Sequence, residues 1–444
     1  MNSTKSVLIA FALLGISLSV EASDLLETYH AAQGQDSVFA AARGSQQAGK
    51  EKLTQGRATL LPSVNITANT TYNDSNTTNP VDPLGRRRYN SNGYGVTLVQ
   101  PLFRQNNWQA YTESDLLVAQ TEAQFKNAEQ DLILRVAQAY FDVLSAQDAV
   151  NLTDAQKNAI AEQLAQAKRN FEVGSATITD TLEAQARYDL VDAQAIAAQS
   201  NLEIKERGYQ QLTNAMPKDL KPVGPAFKLE KPMPADAEKW VEQAQQGNLQ
   251  LAVAQAGAEL ADKEVVRNRG GHYPTLDLVA TYNQSNAGPN GTSLNPLGSG
   301  YENTTATVGV QLNFPLFQGG STQSKWREAE ANRDRANAEL ESARRNVDLQ
   351  TRQAYTGVVN GMSQVMALEQ ALKSSEKLLE ASKLGQEVGV RTNLDVLNAQ
   401  QQLFSTRRDL YLAKYNYLIS RLKLKAAIGS LAEDELVVVN QSLH

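Results

Sequence analysis

The chain has 444 residues, 41% hydrophobic and 20% charged, and its 48 acidic against 42 basic residues give a net charge of −6. That balance provides no basic footprint for general nucleic-acid binding. The absence of cysteine excludes a disulfide framework, thiolate metal sites, a cysteine nucleophile and a lipid-modified N-terminal cysteine, and the three histidines, His30, His272 and His444, are too scattered to suggest a ligand set.

In chain order, residues 1–22 carry Lys5, an apolar run from Val7 to Leu18, and Val20-Glu21-Ala22 where a signal peptidase reads small side chains. This pattern predicts a secretory signal peptide and an exported mature protein. No later stretch approaches the roughly 18 apolar residues of a transmembrane helix, so any membrane-embedded part must be β-barrel.

A helix is expected over about Asp24–Arg57, followed by strict alternation from Ser63 to Asn73. Val64, Ile66, Ala68, Thr70 and Tyr72 share one face, and Asn65, Thr67, Asn69, Thr71 and Asn73 the other. That is the period of two of a strand with different surroundings on its two faces. A second strand is expected over about 92–100, with Tyr94, Val96 and Leu98 on its apolar face. The Asn-, Gly- and Pro-rich segment between them, about Asp74–Tyr89, reads as a loop.

From Gln105 to Phe171 the pattern is helical, and Leu132, Val136, Ala139, Val143, Ala146 and Val150 step by four and three as a heptad seam. At 1.5 Å per residue such a helix spans on the order of 100 Å. It ends at Val173-Gly174, where glycine permits a reversal, and a helix of about Thr179–Leu212 returns. The residues 213–235 form a Pro-rich linker, with prolines from Pro217 to Pro234.

The plan then recurs. Leu61-Pro62-Ser63 reappears as Tyr273-Pro274-Thr275, Pro101-Leu102-Phe103 as Pro315-Leu316-Phe317, Gln138-Ala139-Tyr140 as Gln353-Ala354-Tyr355, and Glu172-Val173-Gly174 as Glu387-Val388-Gly389. The spacing runs only from 212 residues (Leu61 to Tyr273) to 215 (Gln138 to Gln353), so the chain divides into repeats at 23–212 and 236–428 with a short tail at 429–444. In the second repeat a helix is expected over about Ala235–Asn268, and strands over about 275–283 and 304–314, separated by a loop of about Gln284–Glu302. The seam Val347, Thr351, Ala354, Val358, Gly361, Val365 leads to Val388-Gly389, and a last helix covers about Asn393–Ala427.

The four strands have the length a tilted membrane strand needs, end in aromatics, and carry Asn and Thr rather than Lys and Glu on their polar faces. Four cannot close a barrel, because the smallest bacterial barrels have about eight, so a barrel would be shared by two chains or by three. The competing reading is a soluble sheet in a periplasmic coiled-coil scaffold or adaptor. No GxSxG, HExxH, CxxC or GxxxxGK[ST] motif assembles a nucleophile, base or metal site, so an enzyme is not expected and no cofactor is implied.

The signal peptide, duplicated strand pairs and long helical hairpins with Val-Gly turns resemble the TolC family of outer-membrane efflux and secretion channels. The most specific segments are Phe171-Glu-Val-Gly-Ser-Ala-Thr-Ile-Thr-Asp180 and Gln386-Glu-Val-Gly-Val-Arg-Thr-Asn-Leu-Asp-Val-Leu-Asn398. The resemblance implies a mainly α protein with membrane β: a homotrimer with one twelve-stranded barrel in outer-membrane lipid, a twelve-helix tunnel across the periplasm, and recruitment by a periplasmic adaptor and an inner-membrane ABC or proton-driven transporter. It implies adaptor docking at Val173, Gly174, Thr177, Val388, Gly389 and Thr392.

It also implies a gate that opens like an iris. Arg391 would bond Thr179 and Asp180 of the other repeat, and Asp395 would contribute to a ring of three carboxylates. Two positions depart from the family pattern: Gln386 stands where a tyrosine occurs, and Asn398 where a second aspartate can occur. Without the resemblance, Arg391 reads as a solvated helix-end residue.

Overall fold

The computed structural model describes residues 24–76, 86–224, 227–289 and 300–443. The expected signal peptide and most of the two expected strand-connecting loops lie outside these residues.

Helices α1 (Leu25–Gln35) and α2 (Ser37–Ala58) precede strands β1 (Ser63–Asn76) and β2 (Arg86–Phe103), which feed α3 (Gln105–Glu172) and α4 (Ile178–Thr213). The same order follows as α5 (Ala237–Gly247), α6 (Leu249–Arg269), β3 (Thr275–Ala287), β4 (Tyr301–Asn313), α7 (Ser321–Glu387) and α8 (Asn393–Ala427), and α9 (Glu433–Asn440) ends the described chain.

Four details differ from the sequence reading. Each single helix expected before a strand pair is two, broken at Asp36 and at Asn248, whose backbones are extended. Each of these residues ends one helix and caps the next through its side chain: Asp36 accepts from the Phe39 amide, and Asn248 from the Leu251 amide. The strands β1 to β3 run past their apolar stretches, because backbone pairing continues through polar positions such as Asn76 with Arg86 and Asn286 with Asn92. β4 begins earlier than expected and ends at Asn313, leaving Phe314 outside it. The expected tail contains α9, whose Leu436 and Val439 are buried in the main core.

The sheet order is β1-β2-β3-β4, all antiparallel. Register aligns the apolar positions into rows: Val64, Leu98, Ala280 and Val308 lie side by side, as do Ile66, Val96, Tyr282 and Ala306. The opposite face aligns Asn65, Thr97, Thr281 and Thr307. One face therefore carries apolar rows that run across all four strands, and the other carries hydroxyl- and amide-bearing side chains. Val308, Val310 and Leu312 remain at least 62% exposed, as does Ile66 at 75%, so nothing among the described residues covers the apolar face there. The outer edges of β1 and β4 pair with no described strand.

Below the sheet, Arg104 at the head of α3 makes a two-pronged bond to Asp277 of β3, at 2.8 and 2.6 Å, fixing the first long helix to the second repeat's hairpin. α2 packs on α3 through small residues: a Cβ added at Gly49 or Gly56 would overlap Thr121 or Ser114, which are likewise seven residues apart.

The main core lies about midway along the helices. The seam residues Leu132, Val136, Val143 and Ala146 are buried there, but so are Ile133, Ala137, Tyr140, Phe141 and Leu144, since α3 is covered on more than one side. Tyr29, Tyr209, Trp240, Tyr417 and Leu422 complete this core. The Pro-rich linker wraps it: the Tyr140 hydroxyl donates to the Lys221 carbonyl (3.0 Å), the Tyr417 hydroxyl to the Glu230 carbonyl (2.7 Å), and the Trp240 indole to the Pro234 carbonyl (2.7 Å). No described helix is long and apolar enough to cross a membrane.

Candidate functional site at the hairpin tips

The helices α3/α4 and α7/α8 form two hairpins whose turns have matching geometry. Gly174 and Gly389 adopt φ of +76° and +78°, the left-handed region that glycine enters without a Cβ clash. Behind each glycine two amides converge on one carbonyl: Ser175 and Ala176 donate to Asn170, and Val390 and Arg391 to Gly385. These bonds satisfy carbonyls that a helix end leaves open. Val173, Val388 and Val390 are 77%, 65% and 76% exposed, so each tip presents bare aliphatic surface.

Each return helix opens with a reciprocal capping box. The Thr177 hydroxyl receives the Asp180 amide while Asp180 accepts from the Thr177 amide at 2.9 Å, and Thr392 and Asp395 repeat the pattern at 2.9 Å. This gives Thr177, Asp180, Thr392 and Asp395 local structural roles that sequence reading did not assign to them, although the T-x-x-D spacing signals them. One oxygen of Asp395 serves the cap, and the other faces Arg391 at 3.7 Å. The Thr392 amide, then its hydroxyl, and the nearby Arg391 charge hold the Asp395 carboxyl below its usual pKa.

Within one chain, then, Arg391, in the turn before α8, is paired with Asp395 of its own hairpin tip rather than with Thr179 or Asp180. Its stem lies against Gly385, where an added Cβ would sit 2.6 Å from the Arg391 Cγ. The two tips nevertheless adjoin: one cleft is lined by Asp180 together with Gln386, Thr392 and Asn393. Gln386 donates to Asn393 at 3.3 Å, and Thr179 lies exposed on the first turn of α4.

A residue missed by the sequence reading joins the hairpins. The Arg187 guanidinium, on α4, donates to Asn398 of α8 at 2.9 Å and also to Gln401. Asn398, noted only as a missing aspartate, is therefore a cross-repeat acceptor. Beneath this bridge Ile160, Val191 and Leu397 form a small buried cluster, flanked by Tyr188. No sequence spacing links Arg187 to Asn398, since the pairing requires α4 and α8 to be side by side.

The family model for outer membrane efflux proteins matches this chain twice, over residues 28–215 and 240–430. The outer membrane protein TolC of Escherichia coli is 32% identical over 452 residues, covering 100% of this chain and 90% of that protein. The alkaline protease secretion protein AprF of Pseudomonas aeruginosa is 34% identical over 420 residues, covering 94% of this chain and 86% of the relative. Among solved structures, the Campylobacter jejuni CmeC outer membrane channel superposes with a TM-score of 0.78 at 17% identity, covering 100% of this chain and 97% of that one, a likeness of fold. With its duplicated hairpins, its uncovered amphipathic sheet and these full-length relatives, the chain belongs to the TolC family of outer membrane efflux proteins and is a channel protein of the cell outer membrane.

Proposed function

We propose that three copies of this chain assemble into a passive exit duct, each contributing its four strands to a twelve-stranded barrel and its helices to a periplasmic tunnel. The observation that carries this reading is the sheet: two unpaired edges flank a face whose apolar rows are continuous and exposed. Unpaired edges and uncovered apolar surface are both costly in water, and β1-to-β4 pairing between copies within lipid removes both. The opposite face, rich in Thr and Asn, would line the lumen. Tyr72, Tyr94, Tyr282 and Tyr301 toward one end, and Phe314, Leu316 and Phe317 at the other, supply exposed interfacial side chains at both borders of the apolar band.

The two repeats, 23–212 and 236–428, each supply one hairpin, and the 213–235 linker with the 429–444 segment straps them at the middle of the rod. The tips are the docking surface for a periplasmic adaptor and an energised inner-membrane transporter, ABC-type or proton-driven: Val173, Gly174, Thr177, Val388, Gly389 and Thr392 form it. Arg391, Thr179, Asp180, Asp395, Gln386 and Asn398 form the gate, with Arg391 exchanging its same-tip partner Asp395 for Thr179 and Asp180 of the other repeat, supplied by an adjoining copy in the closed trimer. Release of those bonds splays the hairpins like an iris. Relatives described as protease secretion proteins support export of protein by type I secretion, and the family description supports efflux of smaller solutes.

Outer-membrane fractionation combined with the native mass of the detergent-extracted protein tests this reading. A trimer in the outer membrane is expected. A soluble periplasmic species would instead establish the scaffold reading.

A further inference from the structure

We infer that Arg187 is the latch that holds the two hairpins of each protomer together at the closed tip, with Asn398 and Gln401 as its paired receivers. The inference rests on the gate reading above and adds to it a residue on the opposite hairpin from Arg391.

Three observations lead to it. First, the link is forked: one guanidinium nitrogen donates to Asn398 Oδ1 at 2.9 Å and the other to Gln401 Oε1, so one planar group grips two side chains three residues apart on α8. Such a fork fixes the rotation of α8 relative to α4 as well as their separation. Second, little else couples α4 to α8 here, since the apolar seam is only Ile160, Val191 and Leu397 with Tyr188 at its margin. Third, the amides around the seam are incompletely satisfied within the chain: Gln163 Oε1, Asn393 Nδ2 and Gln400 Oε1 are buried without a hydrogen-bond partner. A tip whose polar groups are only partly matched, and whose apolar seam is thin, can separate at modest cost once its strongest directional link is released.

The chemistry of the receivers gives the inference its distinctive consequence. Asn398 and Gln401 are neutral, so the fork ends on amide oxygens rather than carboxylates, and the bond is weaker than an ion pair would be. A carboxylate at position 398 would therefore tighten the latch in this chain. Were position 398 simply one turn of an acidic constriction, a carboxylate there would only add cation affinity.

The test is single-channel recording of purified full-length trimers in a planar bilayer, with assembly verified by native mass. Arg187→Gln is expected to raise the open fraction about tenfold, from the loss of two charge-assisted bonds. Asn398→Asp should lower it in the Arg187 background and leave it unchanged in the Arg187→Gln background. The chain has no cysteine, so Arg187→Cys with Gln401→Cys, joined in assembled trimers by a short bis-maleimide, gives an independent measurement. Conductance should fall on cross-linking. If Arg187→Gln leaves gating unaltered while Arg391→Ser changes it, the latch is refuted and the gate stands. If neither substitution changes gating, the gate reading itself fails. Should Arg187→Gln trimers not assemble, the cross-link decides: unchanged conductance overturns the latch.

Discussion

The middle of the rod and its tip are built from the same four long helices, yet they are held together by different means. In the middle, α1, α5, α9 and the linker cover the helices and bury Tyr140, Tyr417, Leu132 and Leu422 completely. A partly buried ion pair adds to this: Arg135 reaches Asp36 at 2.7 Å, and that guanidinium holds the Asp36 carboxyl below its usual pKa. At the tip no additional described element covers the hairpins. A three-residue apolar cluster and a few exposed polar bonds are what join them. The difference teaches where this molecule is rigid and where it can move, because apolar burial is the term that scales with covering layers while exposed ion pairs contribute little.

Breaking the middle should therefore have the largest effect. Tyr140→Ala removes a fully buried ring and its bond to the linker, and is expected to cost about 3–5 kcal/mol and to abolish trimers. Leu397→Ala at the tip should cost about 2 kcal/mol, at the low end for a leucine truncation, and leave trimers intact. Thermal dissociation of the oligomer on native gels compares the two. Equal losses would erase the distinction.

The barrel end provides the next test. Val308→Arg and Leu278→Arg place a cation on the apolar face, at about 2–4 kcal/mol near the bilayer midplane, so outer-membrane assembly should fail. Normal insertion of both variants would mean that this face does not meet lipid. A smaller effect is expected at the turns, where Gly174→Val and Gly389→Val force a side chain into left-handed backbone at about 1–2 kcal/mol each. Export should be lost while outer-membrane trimers persist. Loss of trimers together with export would mark the glycines as helix terminators only.

The middle also contains a half-buried carboxyl whose titration can be followed. Burial pushes Asp148 above its usual pKa, although the Tyr415 hydroxyl donates to it at 2.5 Å. Its charged form is thus less favourable in the folded protein than in the unfolded chain, so its contribution worsens as pH rises from the unfolded value of about 3.9 through the raised folded value. Asp148→Asn should accordingly raise thermal stability at pH 7, and the advantage should shrink as pH falls toward 4. A gain independent of pH would assign it to packing instead.

The smallest stability effects belong to the gate, where function supplies the readout. Arg391→Ser removes only an exposed 3.7 Å pair within one tip, so the stability of the protomer should hardly change. Increased conductance of the trimer would then have to come from bonds between copies. Asp395→Asn removes the charge while keeping an oxygen that can serve the Thr392 cap, and it is expected to weaken cation selectivity and cation block. Unchanged selectivity with intact trimers would leave Asp395 as a capping residue.

Much of this was legible in the residues. Period-two alternation located all four strands, the heptad steps located both long helices, and the Val-Gly pairs located both tips within a residue or two. What escaped reading was local chemistry with two roles in one residue: Asp36 and Asn248 look like ordinary polar positions of amphipathic helices, and only their capping bonds reveal a break. Thr392 and Asp395 carried a recognisable cap spacing, yet the resemblance drew attention to docking and charge instead.

The sequence by itself determined the periodicities, the duplication and the turn residues, because these depend on neighbours a few positions away along the chain. Only the tertiary structure decided which rows of the sheet align, which helices border the core, and that Arg187 meets Asn398 some 211 residues later. Those choices depend on the relative rotation and offset of whole elements, which packing fixes and which no local pattern encodes.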